Sequence, residues 1–596
     1  MFYLKVDFNE NRIPGRSPAD GYPEQIVDGE KCRVTFIGDD LYSFYLNLHA
    51  NIIIGEAQGR IPELELRRLH ERLVLQNESR FTNEKISTLA AVDMETGQVR
   101  VFRSISCNRP VYFYRTDRVF ICTSHLSLFK RDGIKLSLRE DVVPEILIYR
   151  YVMPPSSLCE DIYYLPGGFG MTFDQAKGVL SYQNLWKLKE NEREASLENT
   201  VEKTADLIRR SLAMFKESNH GTTLLLSGGL DSTLLGAFAR EIGVRFDTVS
   251  SGFQMITGDA GESQYARSAA DWLGISHRIH DVSEAEYLYQ LVDSVHNAEE
   301  PIHHLQSVIL GSLFCKAIDP EVRYVINGDA ADLLFGTAMH MRHLKTRRLV
   351  GVTDNRNVRR FTNPLFSALA RRSDKFKYLS HDHSDNHSDP NHFIWTLEAF
   401  GDLNWVRDSY GIDISKIIVN RAKYLDNFED WPLIDKMTIL FFCGEIDHTM
   451  KVWGKLAERS KYMLVFPFTY PDLIDYLFSV SWRIKGREPK FLLRNVAQLI
   501  KLPESIINRP KKSFGFSTKF WALPGSLFQP LVDMASEMFD GNVLRSLQVE
   551  NGSRAMILWG YLNLYLWHKI FAKETPVDQI KEEIASRRKS QEASLA

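Results

Sequence analysis

"TTLLLSGGLDSTLLGAF" occupies residues 222–238. Leu224, Leu225 and Leu226 read as the end of a buried strand, and Thr233 to Phe238 as the start of a helix. Between them stand two glycines, which let backbone approach a ligand closely or take φ > 0. The free N–H groups of such a turn converge with the helix dipole behind them, which makes an anion cradle. Asp231 would repel a bare phosphate, but it fits if it holds a divalent cation that the phosphate also binds. The plain alternative is a tight strand-to-helix turn with a capping serine. The stretch lacks G-x-x-x-x-G-K-[ST], so it is not a Walker loop.

From this stretch outward the chain alternates strand and helix patterns: "FDTVSSGF", "ESQYARSAADWLG", "SHRIHDV", "EYLYQLVDSVHNA", "RYVING". That alternation predicts a parallel sheet covered by helices, with ligands at the carboxyl ends of its strands. Residues 1–190 differ. Short β-like runs separated by turn residues predict a mostly antiparallel region there. Residues 337–430 are polar and irregular and read as an insertion. Helical patterns dominate from 431 onward, and residues 574–596 read as a polar, frayed tail.

Composition bounds the class. The chain has 596 residues, 44% hydrophobic and 25% charged, which predicts several globular domains. A net charge of −3 gives no nucleic-acid footprint. Six cysteines without a C-x-x-C pair argue against a zinc site or a disulfide framework and suit a reducing cytoplasm. No signal peptide or membrane span is expected. Ala555 to Phe571 is the most apolar long stretch, but Asn563, His568 and Lys569 interrupt it, as in a core helix.

Two further stretches carry chemistry. "VINGDAADLLFG", residues 325–336, follows another apolar strand and offers Asp329 and Asp332 beside Gly328. Alone it reads as well as a helix cap. Beside the 227–232 loop, its carboxylates could clamp one Mg²⁺ that draws charge from a departing pyrophosphate. "IINRPKKSFGF", residues 506–516, places Arg509, Lys511 and Lys512 on a Pro-anchored loop with Gly515, able to fold over a phosphate-rich site or simply to be solvated.

Together these stretches resemble the synthetase domain of the asparagine synthetase family. "LLLSGGLDS" is similar to the Ser-Gly-Gly-x-Asp-Ser loop of the N-type ATP pyrophosphatases, "NGDAADLLFG" to the family's "SGEGADELFGG", and "FLLRNVAQLIKLPESIINRPKKSFGF" to its "LR…LP..I..R.K..F" segment. The resemblance implies two domains. Residues 1–190 would be a degenerate class II glutamine amidotransferase-like domain, an Ntn-hydrolase-like antiparallel β sandwich. Residues 195–573 would be a parallel-sheet adenine-nucleotide α-hydrolase-like (PP-loop) domain with a helical C-terminal part.

The resemblance also implies roles. Ser227, Gly228, Gly229, Asp231 and Ser232 would hold pyrophosphate, with Gly328 beside them. Asp231 and Asp332 would bind Mg²⁺, and Ser250 and Gly252 would border the adenosine. Lys511 would stabilise charge during adenylation and acyl transfer. Asp329 stands where the family has a glutamate, and it remains a base or a substrate contact. Glu300, in "EEPIHH", falls at an acidic-Pro substrate loop. Glu445 and Asp447, in "FFCGEIDHTM", fall where a second carboxylate could enter, the alternative being a plain helix surface.

In the N-terminal region "SISCNRPVYFYRTDRVFICTSHLSLF" and "YYLPGGFGMTFD" resemble the amidotransferase domain. That domain's nucleophile is an N-terminal Cys; here Phe2 holds the position, and His125 stands where a carboxylate would be. The expectation is an AMP- and pyrophosphate-forming amide ligase using ATP and Mg²⁺. It would adenylate a small-molecule or peptide carboxylate and join it to an amine not drawn from glutamine, as in β-lactam synthetases and lasso-peptide cyclases. An ammonia-dependent amidotransferase and a non-catalytic nucleotide-binding scaffold are the alternatives. A partner enzyme of the same pathway fits this reading; nucleic acid and membrane do not. The His-rich residues 381–393 read as a solvated loop or a metal site, and the basic residues 341–360 as a solvated helix face or a dock for an acidic partner.

Overall fold

The computed structural model describes residues 2–8, 24–28, 31–38, 43–48, 51–57, 61–76, 86–106, 108–186, 196–216, 221–252, 261–341, 344, 399–428, 431–509 and 521–595. The N-terminal part contains twelve strands: β1 (Phe2–Asp7), β2 (Glu24–Asp28), β3 (Arg33–Gly38), β4 (Ser43–Leu48), β5 (Asn51–Ala57), β6 (Ile86–Asp93), β7 (Val99–Arg103), β8 (Tyr112–Arg115), β9 (Val119–Thr123), β10 (Tyr163–Tyr164), β11 (Phe169–Asp174) and β12 (Val179–Asn184). They form two six-stranded antiparallel sheets, ordered β10-β8-β9-β1-β3-β2 and β12-β11-β7-β6-β5-β4. Side chains alternate faces along a strand. Ile52, Ile54, Ala90 and Val92 therefore join Leu4 and Val6 between the sheets, while Ile53 and Leu89 turn outward onto α1 (Glu63–His70). The expected sandwich is thus present. Helix α2 (Val143–Tyr149) follows and ends at Arg150, whose φ of 67° is left-handed.

After α3 (Leu197–Lys216) the architecture changes. Strands β13 (Gly221–Leu225), β14 (Asp247–Gly252), β15 (His277–Asp281), β16 (Val322–Ile326) and β17 (Met463–Val465) pair in parallel in the order β15-β14-β13-β16-β17. Helices α4 (Leu230–Glu241), α5 (Gly261–Leu273), α6 (Glu284–Ala298), α7 (Leu305–Lys316) and α8 (Ala331–Phe335) connect or follow them. The chain steps outward from β13 to β14 and β15, then crosses to β16 on the other side. The switch point therefore lies between β13 and β16, where ligands of open α/β sheets bind.

Helices α9 (Leu403–Tyr410), α10 (Ile414–Ala422), α11 (Asp447–Arg459), α12 (Phe491–Leu499), α13 (Gly552–Trp567) and α14 (Val577–Leu595) complete the domain. Three sequence expectations need correction or limits. The expected frayed tail at 574–596 contains a docked helix over Val577–Leu595: Ile580 and Ile584, one turn apart, are buried, and Lys581 and Arg587 pair with Asp293 and Glu537. The end of the 337–430 insertion is ordered, because Phe400 and Gly401 both donate to the Ile148 carbonyl at 2.9 Å and two helices follow. Its centre lies outside the described residues, as do the His-rich 381–393 stretch and nearly all of 341–360. Ala555 to Phe571 is core helix, and no helix among the described residues is long and apolar enough to cross a membrane.

One face of α11 joins the two parts of the molecule. Asp447, Lys451, Lys455 and Glu458 form a charged stripe at helical spacing, the first three buried and Glu458 partly so. Asp447 pairs with Arg103 at 2.7 Å, Lys451 with Glu300 at 2.9 Å, Lys455 with Glu299 at 2.8 Å, and Glu458 with Arg109. Glu299 also accepts from the backbone N–H of Leu126 at 2.6 Å and of Ser127 at 3.2 Å, which begin a 3₁₀ turn in the N-terminal part. Burial pushes the Glu299 carboxyl up, but Lys455, His125 and Ser127 outweigh it and hold its pKa at about 2.

Candidate active site

The site begins at the turn between β13 and α4. Gly228 has φ +69°, and a Cβ there would lie 2.3 Å from the Tyr265 carbonyl. Only glycine lets this loop and α5 approach so closely. Ser227 donates its N–H to Ser232 Oγ at 3.2 Å, the two hydroxyls lie 3.1 Å apart, and the Gly229 N–H donates to Ser227 Oγ at 3.3 Å. The loop is thus braced by its own serines at the N-terminus of a twelve-residue helix. Arg509 donates to the Ser227 carbonyl at 3.1 Å and lies over the Tyr265 ring, 4.0 Å from its centroid.

The second loop follows β16 and packs against the first. A Cβ on Gly328 would lie 3.3 Å from the Ser232 nitrogen and 3.5 Å from the Asp231 Cβ. Asn327 is anchored to β17 through the Val465 carbonyl at 2.9 Å, and its side chain accepts the Asp329 N–H at 2.8 Å. Strands on either side of the switch point thereby deliver Asp231 and Asp332 to one place. The proof is a third residue: Lys490 Nζ forms ion pairs with Asp231 and, at 2.9 Å, with Asp332. Burial lowers the Lys490 pKa, but the two carboxylates outweigh it and raise it above the ordinary lysine value. Lys490 precedes α12 in a left-handed conformation, its N–H bound to the Gly336 carbonyl at 3.0 Å.

Lys490 is not legible in the sequence. The segment read for its basic loop starts at Phe491, one residue later, and a lysine before an amphipathic helix carries no signal of its own. Arg509 is legible only as part of that loop. Lys511 lies outside the described residues. Ser250 and Gly252 end β14 beside the 227 loop, since Leu226 donates to the Val249 carbonyl at 2.9 Å. The Ser250 hydroxyl lies 3.1 Å from His277 Nε2 on β15.

The three acids assigned to substrate separate. Glu300 is buried, with the Tyr112 hydroxyl at 2.5 Å and Lys451 at 2.9 Å, and Asp447 is bound by Arg103 and, at 2.6 Å, by the Tyr164 hydroxyl. Both belong to the interface between the two parts, which corrects the expectation of a substrate contact: buried cations claim them first. Asp447 is not on a solvent-facing helix surface either. Glu445 differs, lying 3.2 Å from His304 with both side chains about a fifth exposed.

Paired acidic loops thus meet at the switch point of a parallel sheet, beside a glycine-rich turn that opens a helix, in an α/β domain joined to an antiparallel sandwich. A family model described as asparagine synthase matches residues 203–569, and the chain belongs to that family. A Mycobacterium tuberculosis protein provisionally named a glutamine-hydrolyzing asparagine synthetase is 23% identical over 395 residues, covering 63% of this chain. The match spans 58% of that relative's length. Glutamine-hydrolyzing asparagine synthetase 1 of Bacillus subtilis is 20% identical over 494 residues, 78% of this chain and 74% of the relative. The carboxyethyl-arginine beta-lactam-synthase of Streptomyces clavuligerus is 28% identical over 189 residues, 30% of this chain and 34% of the relative.

Proposed function

We propose that this protein is an ATP-dependent amide ligase that forms AMP and pyrophosphate, adenylating a substrate carboxylate and passing the acyl group to an amine. The observation that carries this reading is the meeting of Asp231, Asp332 and the Lys490 ammonium at the switch point. Two carboxylates already sharing one cation are a donor set suited to Mg²⁺, whose oxygen ligands are of this kind. A bound Mg²⁺ would supply charge neutralisation for ATP between these residues.

The chain's own groups account for the remaining work. The first turn of α4 would present its backbone N–H groups to phosphate oxygens. Lys490 and Arg509 add positive charge beside that turn, and Lys511 is carried to the same task by resemblance. As the α–β phosphoanhydride breaks, the carboxylate oxygen bonds to the α-phosphorus and pyrophosphate leaves. The amine then attacks the acyl carbon, AMP leaves, and the amine's proton passes to a base, a role the resemblance leaves open to Asp329.

Glutamine is not the amine source in this reading. Phe2 stands at the start of β1 with its ring fully buried, 6.1 Å from Phe36, and its N–H is donated to Ser124 Oγ at 2.9 Å. A benzyl group cannot attack an amide. The relationship to a beta-lactam synthase supports ring closure within one substrate as the form of the reaction. The test is to incubate the protein with ATP, Mg²⁺ and a panel of carboxylates and to measure AMP and pyrophosphate. Carboxylate-dependent release supports the reading; ADP and phosphate as products, or no release with any carboxylate, would contradict it.

A further inference from the structure

The backbone that carries Lys490 is pinned to the second acidic loop. The Lys490 N–H is donated to the Gly336 carbonyl at 3.0 Å, one residue past the end of α8. Gly336, at φ +97°, packs on Trp482, whose ring a Cβ there would meet at 3.2 Å. Trp482 donates its indole N–H to Asp435 at 2.7 Å, stacks on His340 with ring centroids 4.9 Å apart, and accepts the Gly486 N–H on its carbonyl at 2.9 Å. The stretch from Trp482 to Lys490 is therefore anchored to the loop that carries Asp332. The ammonium belongs to the framework of the site; it is no loose surface lysine that happens to reach two acids.

Exposure falls in one direction across the cluster. The Asp332 side chain is 35% exposed, Asp231 21% and Lys490 12%. The two acids can be reached from solvent, and the ammonium lies deepest.

The carboxylates that suit a divalent cation are thus the ones that Lys490 already holds. Mg²⁺ demands close oxygen ligands and gives up its water reluctantly. Placed on the same two carboxylates it would stand beside a fixed positive charge in a partly buried site, where like charges repel far more strongly than in water. A polyphosphate reverses that balance. Its oxygens give the ammonium a new anionic partner and give the metal further ligands.

We propose that Lys490 controls how metal enters the site: its ammonium keeps a free divalent cation off Asp231 and Asp332, and the metal comes in together with a polyphosphate that takes the ammonium. The site then selects the metal–nucleotide complex over the free ion, and the paired acids are never left without a counterion. This rests on the reading of Asp231 and Asp332 as metal ligands for ATP.

Mn²⁺, which shares the preference of Mg²⁺ for carboxylate oxygens, is the probe. Wild type, Lys490→Met, and Lys490→Met combined with Asp231→Asn and Asp332→Asn are titrated with Mn²⁺ alone, and bound metal is read by electron paramagnetic resonance. Binding of Mn²⁺ with α,β-methylene-ATP, which resists cleavage between its α- and β-phosphorus atoms, is followed in parallel by calorimetry. Mn²⁺ alone is expected to bind Lys490→Met at least tenfold more tightly than wild type. The triple variant is expected to lose that gain, and wild type to bind the Mn²⁺–analogue complex. Equal affinity of wild type and folded Lys490→Met for Mn²⁺ alone, or a gain that survives in the triple variant, overturns the proposal. If Lys490→Met does not fold, Lys490→Gln carries the comparison. Equal affinities with the complex still bound would leave the ligase reading standing. A tenfold gain with no binding of the complex would overturn the ligase reading and leave the exclusion of the free ion in place.

Discussion

At the scale of single residues, the account rests on Asp231, Asp332 and Lys490. Each removes or supplies one charge where the triphosphate would be cleaved. Removing one preorganised electrostatic partner costs about 10²–10³ in rate. Asp332→Asn, Asp231→Asn and Lys490→Ala are each expected to lower pyrophosphate formation by about that factor while the thermal unfolding midpoint stays within a few degrees. Steady-state pyrophosphate release checks this; a loss below tenfold in all three would contradict it. Gly228→Ala is expected to weaken ATP binding at least tenfold, because the new methyl meets the Tyr265 carbonyl and φ +69° is strained for alanine. Equilibrium titration with ATP reads it directly. The two aspartates were legible because two glycine-bearing acidic loops each follow an apolar strand, although either loop alone reads as well as a helix cap. Lys490 was not, because its meaning lies in a contact with Asp231 across 259 residues of sequence.

At the scale of elements, α11 is the instructive case. Asp447 was open to a plain helix-surface reading, and Lys451, Lys455 and Glu458 share its face. The structure buries that face and pairs every charge with the neighbouring domain or the 299–300 segment. Periodicity tells which residues share a face and says nothing about what the face meets. Arg103 is fully buried, so Asp447→Ala would leave its charge without a counterion. Breaking a buried pair from one side costs about 3–5 kcal/mol. Urea unfolding should show that loss for Asp447→Ala, and the double variant Arg103→Met with Asp447→Leu should recover most of it. An Asp447→Ala midpoint equal to wild type would contradict the interface account. The tail misled for a related reason: α14 docks through Ile580 and Ile584, with Val577 partly buried, and so few apolar residues do not stand out from its charges.

For the whole molecule, the sandwich and the parallel sheet were both legible from strand spacing and from the alternation after residue 222. The way they are locked together was not. That lock is sensitive to acid. Burial holds His125 at a pKa of about 4 and keeps His303, His304 and His448 below the ordinary imidazole value. As pH falls below about 6.5 the unfolded chain takes up protons that the folded chain refuses, so stability declines across that range. Glu299 adds a second window. Its stabilisation is full above about pH 4.5 and is lost as pH falls towards 2. Scanning calorimetry should show the unfolding temperature dropping between pH 7.5 and 5.5. The drop should be smaller for His303→Asn, and a flat profile would count against the interface.

The most direct test of the central claim, that Asp231 and Asp332 form one nucleotide site at the switch point, is a titration of ATP in the presence and absence of Mg²⁺. The account predicts that wild type binds ATP at least tenfold more tightly with Mg²⁺, and that Asp231→Asn with Asp332→Asn abolishes this difference. ATP binding that is indifferent to the metal in wild type, or a Mg²⁺ effect that survives the double substitution, would contradict it.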